Sequence, residues 1–446
     1  MWAHASGLLA VALLGMNARS LHPLTCAMPS RPWAIFSEAA FLAISWTWCI
    51  GMWLPVLFIR DYGLWSFLVF ALPNCIGAAA MGLALAKPGA ALEFAQRHRM
   101  AIMCFSAVTM AFQMFFLTWL LRSQGTSTEG IVLICLVIAS IFAQPLVRGL
   151  RARTTAVVVL ALSLGLAAWW LLGNFTRLGA DKLPTTSRPL GELGGLAAVC
   201  VLGFTMCPFL DATFLKARFR SQGSQGSFAF LLGFLVLFAS MICLTFLYGI
   251  DIVAKAAADD SPVHVVYLAI PLVFHVGIQL LYTIGVHDDV LRYGAPECSL
   301  PPSSGLSIIG FVGGIIVTLA ALVIAPLRTD MTNWELFYRG FMSFYGLVFP
   351  AYVWIVAWPY QRNGGAPTRQ RLAIMLGTII AATPFYWWGS IDRESHWLYA
   401  GVGVVIAAGI IARLLPGPQG PFGQSGVPSP TPSRRPPALQ AAAEAR

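Results

Sequence analysis

"GFTMCPFLDATFLKARF", residues 203–219, decides how the chain is read. Within a run apolar enough to cross a membrane stand a proline, Pro208, and a carboxylate, Asp211. A bilayer core offers no water to freed backbone groups and penalises charge. Such a break survives where protein or a water-filled cavity encloses it. A second run, "IGMWLPVLFIR" at 50–60, is interrupted in the same way. Paired broken segments at matching places in two halves of a membrane chain mark a central binding site.

The two interruptions share their chemistry. Gly51 stands before Pro55, with Trp53 between them, and Gly203 stands before Pro208, with Cys207 between them. Proline removes a backbone donor and clashes with the preceding turn, which frees carbonyls to face a cavity. Pro208 suits the first position of a second half-helix, 208–220. Asp211 would then lie in its first turn, where the helix dipole favours an anion. Lys216, Arg218 and Arg220 would lie at its end, where cations are favoured.

Outward from these segments the whole chain is apolar. It is 58% hydrophobic and 10% charged, whereas soluble domains carry about a quarter charged residues. A polytopic membrane protein follows, with the lipid bilayer as its first partner. The net charge of +10 therefore concerns orientation, and no nucleic-acid partner is expected. The nine cysteines are scattered. None stands in a CxxC pair or a Cys/His cluster, so neither a disulfide framework nor a metal site is expected.

A span needs roughly 20 mostly apolar residues. Twelve are read, at about 36–59, 65–86, 100–121, 130–147, 154–173, 192–215, 228–249, 263–286, 305–325, 337–358, 371–388 and 397–414. With this count, 19 of the 28 Lys and Arg residues fall on the side that holds both termini. Basic residues collect on the cytoplasmic side, so both termini are expected there. The expected location is a bacterial cytoplasmic membrane. Residues 1–30 read as a poorly ordered extension. The Pro-rich tail, 415–446, cannot build a core and reads as disordered. The transmembrane domain is 31–414.

Spans 1–5 (36–173) and 6–10 (192–358) match in spacing, and 371–414 adds two further helices. A five-span unit is odd, so its second copy enters the membrane from the opposite side. The expected fold is all-α: about twelve transmembrane helices in a 5+5 inverted repeat, with helices 1 and 6 discontinuous and two C-terminal helices added. Polar residues support the pairing. Ser106, Thr109 and Gln113 share one face of span 3, and His275, Gln279 and Thr283 share one face of span 8, its repeat mate.

Each polar residue has two readings. Asp211 binds a coupling cation, a proton or a solute amine, or it pairs at the interface with Lys216 or Arg218. His275 carries a proton, since histidine alone titrates near neutrality unperturbed, or it is a neutral histidine bonding two helices. Gln113 and Gln279 hold solute or tie helices together. Glu38 reads as a gate or interfacial partner. His287, Asp288 and Asp289 read as solvated loop residues.

Twelve spans, cytoplasmic termini, a 5+5 repeat and broken spans 1 and 6 resemble the leucine-transporter (LeuT) fold. That fold is shared by neurotransmitter, sodium–solute and amino acid–polyamine–organocation symporters. The resemblance implies that spans 1, 3, 6 and 8 line a central site, here Gly51, Trp53, Pro55, Gln113, Gly203, Cys207, Pro208, Asp211, His275, Gln279 and Thr283. It implies an outer-gate role for Arg60. Span 8 offers Thr283 where the family's common sodium site uses adjacent hydroxyls, so the coupling ion stays open between sodium and a proton. No other cofactor is expected. The expected function is ion-gradient-driven, symporter-like transport of a small polar organic solute by alternating access. No phosphate-binding GxxxxGK[ST] loop is present to use ATP. The alternatives are a membrane-embedded transferase and a non-transporting sensor on a transporter fold.

Overall fold

Helices account for nearly every element of the computed structural model, which describes residues 31–124, 146–148, 151–174, 190–296, 299–358 and 368–414. Span 4, both terminal segments and Gln144 lie largely or wholly outside these residues. Among the described residues, ten helices are long and apolar enough to cross a membrane, and one bent pair adds an eleventh.

Span 1 is that bent pair: 1a, Arg31–Trp46, and 1b, Cys49–Tyr62, meet at 54°. Span 2 is Trp65–Ala84, span 3 Ala90–Ser123 and span 5 Arg151–Asn174. Span 6 comprises 6a, Leu190–Met206, a 3-10 turn, Cys207–Leu210, and 6b, Ala212–Arg220. Span 7 runs Gly223–Ala258 through a π-helical stretch, Gly233–Phe238. Spans 8 and 9 are Ile270–Tyr293 and Ser304–Val323. Span 10 is Asn333–Ala357, span 11 Arg369–Ser390 and span 12 Trp397–Leu414.

The packing carries the repeat. Span 2 packs on 6a as span 7 packs on 1b; 1a packs on span 5 as 6a packs on span 10; span 8 meets both 3 and 5. Exchanging span n with span n+5 maps these pairs onto one another, and the 3–10 contact matches the 8–5 contact. Ion pairs fix the direction. Glu38, at the start of span 1, meets Arg153 at the start of span 5 and Arg220 at the end of span 6. Arg60, at the end of span 1, meets Glu335 at the start of span 10. Spans 1 and 6 therefore run oppositely, as an inverted repeat requires.

Lipid tails are as apolar as the side chains they replace, so close packing holds the helices together. Span 3 is the central post: 78% of its apolar window is buried, against 22% for span 11. Gly310 and Gly314, one turn apart on span 9, bring that helix onto the backbone of Ala107 and Ala111. Gly77 does the same between spans 2 and 6a, where an added Cβ would lie 2.4 Å from the Phe204 carbonyl oxygen.

Of the boundaries that depart from expectation, three bear on the site. Span 3 begins ten residues earlier, with a polar first segment that leaves helical geometry at His98 (φ −112°, ψ 19°). Half-helix 6b begins at Ala212, because Pro208 occupies the 3-10 turn and Asp211 the N-cap. Span 8 continues to Tyr293, so His287, Asp288 and Asp289 are buried helical residues rather than solvated loop. Neutralisation explains the continuation. Asp288 is held by Arg292 (2.9 Å) and accepts from Ser307, while Asp289 lies 3.5 Å from Lys216 and 3.6 Å from Arg148.

Candidate functional site

The helix of span 1 stops at Trp46 and resumes at Cys49. Trp48 between them is extended (φ −90°, ψ 169°). Breaking a helix frees polar backbone groups that must be met locally. Here two of them are met by other spans, and one by a side chain of the break itself. The Tyr338 hydroxyl donates to the Cys49 carbonyl (2.8 Å), and the Cys49 N–H donates to Gln113 Oε1 (3.4 Å). The Trp48 indole donates to the Ser45 carbonyl (2.6 Å), and the Trp46 indole to Asn74 Oδ1 (2.8 Å).

The break in span 6 is built differently. Asp211 is extended (φ −77°, ψ 114°) and caps half-helix 6b. Its Oδ1 accepts from the Thr213 N–H (2.7 Å) and hydroxyl (2.6 Å). That hydroxyl lies 3.1 Å from Ser45 Oγ, which ties the two breaks together. Asp211 Oδ2 is buried and has no hydrogen-bond partner among the described residues. The interfacial alternative for Asp211 is not what the structure shows. Lys216 faces Asp289, Arg218 donates to the carbonyls of Leu85 and Ala86 (both 3.0 Å), and Arg220 holds Glu38 at 2.6 Å.

Between the breaks and span 10 lies a cavity of about 80 Å³, bounded by Trp46, Trp48, Gly203, Cys207 and Tyr345. Its upper wall reaches Arg339 and Ser390. Cys207 Sγ donates to the Tyr345 carbonyl (3.4 Å), and the Tyr345 hydroxyl shares a hydrogen bond with Thr109 (2.8 Å).

On the other side of Trp48 the polar stripe of span 8 is buried. Gln279 Nε2 donates to Ser163 Oγ (2.9 Å) and lies 3.2 Å from His275 Nδ1. Gln279 Oε1, Thr283 Oγ1 and Gln113 Nε2 have no hydrogen-bond partner among the described residues. His287 extends the stripe by one more step of four. Its Nδ1 lies 3.1 Å from Ser106 Oγ and its ring stands edge-on to Trp48 at 6.0 Å. The spacing 275, 279, 283, 287 was the available signal for this residue.

The remaining predicted positions stand elsewhere. Gly51 and Pro55 lie inside continuous helix 1b, and the break falls before them. Gly51 faces Phe238 and Ile242 of span 7, and a Cβ there would lie 3.0 Å from Ile242 Cδ1. Trp53 packs against Trp119 (5.8 Å) and Phe116 (6.4 Å), away from the cavity wall. Of the predicted residues, Gly203 and Cys207 line the cavity.

Each membrane face above and below the site carries buried ion pairs. On the face at the end of span 1, the outer face in the orientation expected from the basic residues, Arg60 grips Glu335 with two bonds (2.9 and 2.6 Å) and bonds Asp61 (2.7 Å). Arg339 bonds Glu335 (2.9 Å) and Asp61. On the opposite face, the inner one in that orientation, Glu38, fully buried, holds Arg220 and, at 3.4 Å, Arg153.

No protein-family model matches the chain, and no curated protein matches it. Solved structures with a similar trace include a mutant of the Eremococcus coleocola manganese transporter. It is 13% identical, with a TM-score of 0.48, over 90% of this chain and 98% of that one. Mhp1, a nucleobase-cation-symport-1 family transporter, is 12% identical, with a TM-score of 0.45, over 85% and 91%. At these scores no residue role or substrate is carried over from either.

Proposed function

We propose that the chain is an ion-gradient-driven secondary transporter of a small organic solute, working by alternating access. One observation carries the reading: two separate ion networks close over the same pair of broken helices. The outer one joins 1b to span 10. The inner one joins 1a to span 5 and half-helix 6b. Opening one while keeping the other exposes the site to one side at a time. Each half of span 1 belongs to a different network, and the bend between the halves lets them move separately.

Asp211 is the candidate coupling group. It is buried at the break, one carboxylate oxygen is unpartnered, and among the described residues no Lys or Arg is bonded to it. It would carry the cation or proton, with His275 and Gln279 as a second polar station on span 8. An enzyme reading lacks comparable support, since the buried acids at the faces are held in ion pairs.

The test is uptake into proteoliposomes with sodium and proton gradients imposed in turn. One of them drives accumulation in the parent chain. Asp211→Asn keeps an N-cap of equal quality, so folding survives while gradient-driven uptake is abolished. Undiminished uptake by this variant would remove Asp211 from the mechanism. Solute binding without flux under either gradient would favour a sensor.

A further inference from the structure

We infer that the cavity beside Trp48 binds an uncharged solute built on a single planar ring. This rests on the transport reading for its biological role but not for the binding itself. It also replaces the polar solute expected from the sequence with a narrower class.

The wall chemistry is the first ground. Trp46, Trp48, Phe58, Phe204 and Tyr345 contribute rings, and aliphatic side chains such as Leu54 and Val199 fill the spaces between. A polar group buried without a hydrogen bond costs roughly 1–3 kcal/mol in proteins, and an unpaired charge far more. Rings with flat faces are matched by a flat, apolar body.

Charge is the second ground. Arg339 is the charged residue on the wall, and it is already committed. It donates to Glu335, to Asp61 and to the Ser390 carbonyl (3.0 Å). Arg60, Arg339 and, at 3.9 Å, Arg393 face Asp61 and Glu335, and Arg393 and Arg328 are met in turn by Asp330 and Asp392, so the network is balanced and calls for no anion. Asp211 and His287 are not on this wall, and among the described residues no carboxylate lines it. A zwitterion would leave both of its charges without partners there.

Size is the third. About 80 Å³ is several times what a water needs (~10–15 Å³) and roughly half of a ~150 Å³ cavity that holds benzene. The space leaves no room beyond a single ring, and it takes one only by widening. Its polar edge finds the Ser390 hydroxyl at the outer end and the Cys200 and Cys207 thiols deeper in.

Gly203 supplies the structural control. A Cβ there meets only Gly346 Cα, at 3.9 Å. Gly203→Val therefore fits at its Cβ and pushes its methyl groups into the cavity. The purified full chain in detergent is titrated with nicotinamide, a neutral ring with an amide edge. Benzoate is the anionic ring and alanine the zwitterion without a ring. Nicotinamide is expected to bind at least tenfold more tightly than either. Gly203→Val weakens it at least tenfold with an unchanged melting profile, and Gly377→Ala, which meets nothing within 4 Å and stands off the cavity wall, leaves it within threefold. Neutral benzyl methanethiosulfonate is expected to modify Cys207, read by peptide mass mapping, at least tenfold faster than its trimethylammonium-ethyl counterpart.

Tighter binding of benzoate or alanine, no measurable nicotinamide binding, faster labelling by the cationic reagent, or indifference to Gly203→Val would each overturn the assignment. Binding that Gly203→Val removes, with no flux in proteoliposomes, would refute transport and leave the cavity assignment standing. Flux of another solute without nicotinamide binding would do the reverse.

Discussion

Replacing Glu335 by glutamine tests whether the outer ion network is a gate or only a brace. Three charge-assisted bonds converge on this carboxylate, two from Arg60 and one from Arg339. Glutamine keeps the shape and one carbonyl acceptor, so at least two of the three are lost or become neutral. At roughly 1.5 kcal/mol each this removes about 3 kcal/mol. Arg60 is 19% exposed, and solvent screening reduces its share, leaving about 2 kcal/mol. If the network exists only in the outward-closed form, that energy moves the closed-to-open ratio by about 30-fold. The assay is alkylation of Cys207 by a membrane-impermeant thiol reagent added from outside. The rate in Glu335→Gln should rise by about that factor, with the melting temperature little changed. A change below threefold, or a large loss of stability without faster labelling, would show that the network braces the fold and does not gate it.

Two further outcomes follow from packing and charge. Gly77→Ala places a Cβ 2.4 Å from the Phe204 carbonyl oxygen, so spans 2 and 6a must part at a cost of about 1–3 kcal/mol. Its melting temperature should fall, while Gly377→Ala, which meets nothing within 4 Å, stays at the parent value; equal melting would refute the close approach. In the outer loop, hydrogen bonding from Arg328 lowers the Asp330 carboxyl to about 2. A depressed carboxyl stabilises above its unfolded value and loses that contribution as pH falls towards the folded one. Hydrogen exchange in residues 324–332 should therefore be flat at neutral pH and, after correction for intrinsic rates, speed up between about 4 and 2. Acceleration already at pH 6 would rule out this carboxylate as the tie.

Local signals account for what the sequence revealed. Apolar runs gave the spans, and Pro208 beside Asp211 pointed to the break in span 6 within a few residues. The break in span 1 was read too late. Pro55 drew attention to 51–55, yet the helix opens at Thr47–Trp48, where Tyr338 and Gln113 supply partners from distant spans. No local pattern encodes such partners. The end of span 8 was misread for a similar reason. Asp288 and Asp289 look solvated until their cations from other segments are in place. The cavity was the least legible feature. Val199, Tyr345, Ser390 and Leu398 each stand in an ordinary apolar run, and only assembly turns them towards one space.

The hydrogen bond from Tyr338 to the Cys49 carbonyl has a consequence for how the chain is made. Its two ends are separated by 289 residues. At synthesis rates of about 5–20 residues per second, the donor leaves the ribosome roughly 15–60 s after the acceptor. Throughout that interval the Cys49 carbonyl lacks this donor, while Gln113 and Asn74, made soon after the bend, are in place to meet its other groups. Until the tenth crossing arrives that carbonyl is left to water or to its own segment. The bend is thus completed late in biogenesis, by a group from the far end of the chain.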